Sequence, residues 1–164
     1  MAYFEYFPTI GYDVRGVQND RRIQSITNVL VRTRKKLNVL NAALFEQYFI
    51  TDADRADILA HKYYGDSTLH WVILYANYMN NPYYDWPLPY FDLHKFVAKK
   101  YDNINAAHHW VDSDGYEVDE TESGATAITN FVHEETLNDA KRAINIIRPE
   151  YISQILKEFK KLTI

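Results

Sequence analysis

Tyr63-Tyr64-Gly65-Asp66-Ser67-Thr68-Leu69-His70-Trp71-Val72-Ile73-Leu74-Tyr75-Ala76-Asn77 is the stretch from which the rest of the chain can be read. A helix over 52–64 places Ala56, Leu59, Ala60 and Tyr63 on one face. Thr51, with Asp54 three residues on, is its expected cap. Gly65 ends it, at a position that demands positive φ. Asp66 or Ser67 then caps a second helix over 67–78. Leu69, Val72, Ile73 and Ala76 form one apolar stripe of that helix, and Trp71, Leu74, Tyr75 and Tyr78 form another. A helix apolar on most of its circumference must be buried on most of it. A single small domain is expected to cover one stripe and leave the other to a partner, unless the 83–91 loop folds over it. Asn80-Asn81-Pro82 stops the helix, since proline cannot continue it.

Working outward, residues 44–101 hold 15 of the 25 aromatics. Residues 44–51 read as a strand, with Phe45 and Phe49 on one face. Downstream, Tyr83-Tyr84-Asp85-Trp86-Pro87-Leu88-Pro89-Tyr90 is rigid and aromatic. A helix over 91–101 follows, with Leu93, Phe96 and Val97 as its stripe and Lys99 and Lys100 at its C-terminal end, where cations suit the helix dipole. On the N-terminal side, Tyr3, Phe4, Tyr6 and Phe7 before Pro8 suggest a short strand or extended arm. That arm packs either on its own core or on a neighbour. Ile23, Ile26, Val29 and Val31 mark a strand over 25–32. Beyond 101, the Asp114-Gly115 pair predicts a hairpin over 109–118, and 122–126 a turn. Residues 127–133 and 141–147 read as strands. Arg148-Pro149 opens a last helix with Ile152, Ile155, Leu156, Phe159 and Leu162 as its stripe. The chain is therefore expected to be α+β, organised as 1–43 (arm and strand), 44–101 (core) and 102–164 (hairpin region and C-terminal amphipathic helix).

Composition excludes several functions. The 164 residues carry a net charge of −4, which gives no argument for nucleic-acid or membrane-surface binding. There is no cysteine, so disulfides, thiol catalysis and thiolate zinc sites are out. The first ten residues lack a signal-peptide pattern, and no apolar run approaches the roughly 20 residues that span a bilayer. The chain is expected to stay in the cytoplasm of the cell that makes it, or to leave as part of a particle.

Candidate chemical sites are few. Adjacent histidines on a strand point to opposite faces, so His108 and His109 with His133 are poor joint ligands, and no metal site is expected. The pairs Asp52/Asp54 and Asp112/Asp114 sit naturally as cap and turn residues rather than as the flanking acids of a hydrolase. Six carboxylates within 112–122 lack the full calcium loop. Neither catalysis nor a cofactor is expected. Protein contacts favour Trp, Tyr and Arg, which makes Trp71, Tyr75, Tyr83, Tyr84 and Trp86 the candidate interface anchors, with Arg32 and Arg34 as rim contacts.

Two resemblances attach to these residues. The order strand, Thr51-Asp52-Ala53-Asp54, helix to Tyr63-Tyr64-Gly65-Asp66, second helix through Trp71 and Asn77 is similar to a LysM module over about 44–90. That resemblance implies a βααβ core and, as an alternative function, peptidoglycan-type glycan binding through Thr51 to Asp54 and Asn77 to Trp86. The wider chain resembles the baseplate wedge protein family of contractile-tailed bacteriophages, the gene 53 product family. The residues that carry this are the aromatic Tyr3 to Tyr12, Tyr64-Gly65, Trp71-Val72-Ile73-Leu74 and Asn81-Pro82-Tyr83-Tyr84-Asp85-Trp86. This resemblance implies a non-enzymatic virion part in the tail baseplate. It would dock to other wedge and hub proteins in a hetero-oligomeric assembly and link wedges around the hub.

Overall fold

The computed structural model describes residues 3–16, 20–30 and 42–162. The protein is α+β. After a 3₁₀ turn at Tyr3–Tyr6 come β1 (Thr9–Asp13), β2 (Ile23–Thr27), β3 (Phe45–Phe49), α1 (Ala56–Tyr64), α2 (His70–Ala76), α3 (Pro82–Asp85) and α4 (Tyr90–Lys100). Then follow β4 (Ala107–Val111), β5 (Glu117–Val118), β6 (Thr126–Thr129), α5 (Asn130–Asp139), β7 (Ala143–Ile147) and α6 (Ile152–Leu162). The strands form three small sheets, ordered β1-β2, β3-β7 and β5-β4-β6. The chain divides into two compact units: Met1–Gln47 with Arg55–Asn80 and Asn145–Ile164, and Tyr48–Asp54 with Asn81–Ile144.

In the first unit, α1 ends at Gly65, whose φ of 71° and N–H bond to the His61 carbonyl (2.9 Å) make the left-handed stop. The Asp66 carboxylate accepts from the Thr68 N–H at 2.9 Å, capping a 3₁₀ turn at Ser67–Leu69 that feeds α2. The first stripe of α2 is internal to the unit, and the second is internal at Trp71. Leu69, Val72, Ile73 and Ala76 are buried, and Trp71 is only 6% exposed. The rings of Tyr3, Tyr6 and Phe159 lie 5.2, 5.6 and 4.6 Å from the Trp71 ring. The N-terminal turn and α6 cover the second stripe at Trp71 and Tyr75, where a partner is one expectation from sequence, whereas Tyr78 on the same stripe is 55% exposed. The expected extended arm is a 3₁₀ turn. Residues i and i+3 eclipse in that geometry, which sets Tyr3 and Tyr6 against the same indole.

The end of α2 is tied to β7 by Asn77. Its amide donates to the Asn145 carbonyl and accepts from the Asn145 N–H, both at 2.8 Å, as a neighbouring strand would. Beside β7, the Arg148 N–H donates to the Leu44 carbonyl at 2.9 Å. β1 and β2 pair antiparallel from Thr9↔Thr27 to Asp13↔Ile23, a shorter strand than the expected 25–32, whose last two positions lie outside the described residues.

In the second unit the Asp-Gly hairpin forms as expected, with Trp110 opposite Val118 and Gly115 at φ 85°. Two readings fail. The strand expected over 127–133 stops at Thr129, whose hydroxyl accepts from the Val132 N–H and starts α5. A cap thus outweighs a β-branched run. The helix expected from 52 begins only at Ala56. Thr51 and Asp54 instead close a turn: the Asp54 carboxylate accepts from the Thr51 N–H and hydroxyl (both 2.7 Å) and from the Tyr48 hydroxyl (2.9 Å).

Candidate docking surface and histidine cluster

The second unit carries a groove of about 600 Å³. Its apolar walls come from Trp86, Leu88, Leu93, Phe96 and Leu137, with Tyr83 and Tyr84 at the edge. Local sequence explains how this edge is held. Asn81 caps α3 by accepting from the Tyr83 N–H, and the Asp85 carboxylate accepts from the Asn81 N–H at 2.8 Å. Pro82 occupies the first helical position, which suits its fixed φ. This short turn leaves Tyr83 89% and Tyr84 74% exposed. The backbone behind them is pinned. The Lys141 ammonium donates to the Tyr84 carbonyl at 2.7 Å, and the Trp86 indole N–H to the Asp54 carbonyl at 3.3 Å. The buried Asn138 amide accepts from the Leu88 N–H (2.7 Å) and donates to the Leu88 carbonyl (2.9 Å).

Arg142 gathers the segments below. Its guanidinium donates to the carbonyl of Ile50 (3.1 Å) and to the carboxylates of Asp52 and Asp139 (both 2.7 Å). The Tyr90 N–H first, then Arg142, holds Asp52 below the usual carboxylate range. Cations line the groove mouth at Lys95, Lys99 and Lys141, against Asp92. The Lys95 ammonium sits 4.0 Å from the Phe91 ring centroid, within cation–π reach. Phe91 and Phe96 are themselves exposed.

Of the residues expected at an interface, Tyr83, Tyr84 and Trp86 come together here. Trp71 and Tyr75 do not: both belong to the first unit's aromatic core, where Tyr75 meets Phe159 edge-on at 5.6 Å. Arg32 and Arg34 lie outside the described residues. Sequence reasoning missed Phe91 and Leu137. Phe91 stands off the Leu93–Val97 stripe, a signal that it faces water. Leu137 falls between the strands that the sequence predicts over 127–133 and 141–147, so its helical face is not legible there.

The same unit brings His108, His109 and His133 together, with candidate nitrogens all within 4.8 Å of one another. The opposite-faces argument fails because the β4–β6 register shifts between Ala107 and His109. Burial, then the neighbouring His108, holds His133 below the ordinary imidazole value. Beside it, Glu134 accepts from the Lys100 ammonium at 2.6 Å and the Tyr101 hydroxyl at 2.8 Å.

Two comparisons bear on these observations. A family model described as base plate wedge protein 53 matches residues 2–127. The baseplate wedge protein gp53 of Enterobacteria phage T4 is 26% identical over 102 residues, covering 62% of this chain and 52% of that protein. The chain thus spans about half the length of the curated relative it matches.

Proposed function

The chain belongs to the base plate wedge protein 53 family, and from that premise we propose that it is a structural part of a phage tail baseplate, docking to other wedge proteins through the groove beside Tyr83 and Tyr84. The exposure of these two tyrosines is the observation that carries the reading. Two large rings left in water, next to an apolar trough with a rigid backbone, form the kind of patch that marks an interaction site. Tyr and Trp recur as interface anchors because they bury much area at low entropic cost. The lysines at the mouth favour a partner segment with apolar side chains flanked by carboxylates.

The test replaces both anchors, Tyr83→Ser and Tyr84→Ser, in the full chain. Affinity for the other wedge proteins of the same phage is then measured by sedimentation. The double variant is expected to keep the wild-type melting temperature and to lose at least about tenfold in affinity, since hot-spot anchors contribute about 2 kcal/mol or more. Assembly at wild-type strength would overturn the groove as the docking site.

The finer fold reading is the LysM-like core expected over 44–101, to which we add β7 as the strand that pairs with β3 after α1 and α2. The β3-β7 pairing supports it. Glycan binding is the lesser reading, because the Thr51–Asp54 turn spends its polar groups on Tyr48, Tyr90 and Arg142. Retention on purified peptidoglycan at physiological salt would reverse that ranking.

A further inference from the structure

We propose that His108, His109 and His133 bind one divalent transition-metal ion of the zinc class. In a regular strand two successive side chains lie on opposite faces. Here the register shift between Ala107 and His109 is a bulge, and a bulge re-aims a side chain. The Nδ1 atoms of His108 and His109 consequently lie 2.9 Å apart. His133 arrives from α5, its ring 3.8 Å from that of His108 and nearly parallel to it, at 9°.

The third ligand is held from a separate element by backbone ties. The Asn130 and Phe131 N–H groups donate to the carbonyls of Ala106 and Ile104, both at 3.0 Å, and the Asn130 amide donates to the Asn103 carbonyl at 2.9 Å. The start of α5 is thereby tied to the segment that leads into β4, which holds the backbone of His133 beside that of His108 and His109.

Tetrahedral zinc with Zn–N bonds of about 2.0–2.1 Å sets its nitrogens roughly 3.4 Å apart. The His108–His109 pair is close to that value. Only the stacked His108 and His133 rings need to turn about their side-chain bonds, and His108 is solvent-exposed, with the Tyr101 ring edge-on at 6.3 Å. An all-imidazole donor set selects zinc-like ions over magnesium or calcium, which require oxygen. The Lys100 ammonium nearby is neutralised by Glu134, so it opposes a cation less than its position suggests. Three protein ligands leave a fourth position for water.

The experiment uses the full chain without an affinity tag, stripped with chelator and desalted, then given Zn²⁺ alone. About one zinc per chain is expected to survive a second desalting, measured by elemental analysis. Co²⁺ in its place is expected to give the visible bands of a tetrahedral site. His133→Gln, or His108→Ala with His109→Ala, is expected to lower zinc affinity at least about tenfold, as loss of even an outer partner of a metal ligand does. The paired variant alters one exposed and one half-buried strand position, neither in the core, and serves if His133→Gln fails to fold. No saturable binding by the wild type, or retention unchanged in the paired variant, would overturn the proposal and leave the cluster as a hydrogen-bonded histidine pair stacked on a third ring.

Discussion

Replacing Trp71 removes the ring on which Tyr3, Tyr6 and Phe159 converge. Trp71→Ala should cost about 3–5 kcal/mol, the usual toll for deleting a buried large aromatic. Trp71→Phe should cost distinctly less. Among the described residues the indole Nε1 is buried without a hydrogen-bond partner, and an unpaired buried donor carries a penalty of about 1–3 kcal/mol that phenylalanine avoids. Urea unfolding of the two variants decides it, and equal losses would refute the account. At this scale, legibility follows locality. The stop at Gly65 and the cap at Asp66 are set by backbone needs of the residues themselves and were readable. The meeting of His108 with His109 depends on a bulge, which is set by pairing with a strand nearly 20 residues away, so nothing in the local string announces it.

Among the elements, the turn over 48–54 is tied to Tyr90 and Arg142 through the Asp52 carboxylate. Tyr90 and Arg142 both donate to Asp52 and keep its carboxylate ionised to lower pH than usual. Its contribution to stability is therefore complete above the unfolded carboxylate value of about 3.9 and is lost as pH falls through the lower folded value. The side chain is 48% exposed, so solvent screens the pair and the effect is small. The stability gap between wild type and Asp52→Asn should narrow as pH falls below about 3.9. Denaturant titrations across that range check this; a gap that stays constant would show that Asp52 acts by shape alone. The helices with a clean stripe, α4 and α6, were visible from sequence within a residue or a few. α5 was not, because Thr126-Ala127-Ile128-Thr129 and Phe131-Val132 read as one β-branched run, whereas Thr129 ends the strand with its own hydroxyl.

For the whole molecule, the α+β class and the amphipathic C-terminal helix were readable, whereas the partner of β3 was not. It lies in β7, nearly a hundred residues on, and no periodicity encodes so distant a pairing. The first unit depends on that distance. Ending the chain after Arg148 removes α6 and with it Phe159, the ring nearest Trp71 of the three that cover it. Hydrogen exchange should then accelerate in α1 and α2 and stay unchanged in α4 and α5. Equal acceleration in all four helices would mean that α6 supports more than its own unit.

The split of the first unit along the chain also orders events at the ribosome. Domains generally fold as they emerge, N-terminal first. Here 81–142 is synthesised before β7 and α6, and Tyr3, Tyr6 and Trp71 are made earlier still. The earliest aromatics made are among the last to be enclosed, and for most of translation they are the part of the nascent polypeptide that a chaperone would have to shield.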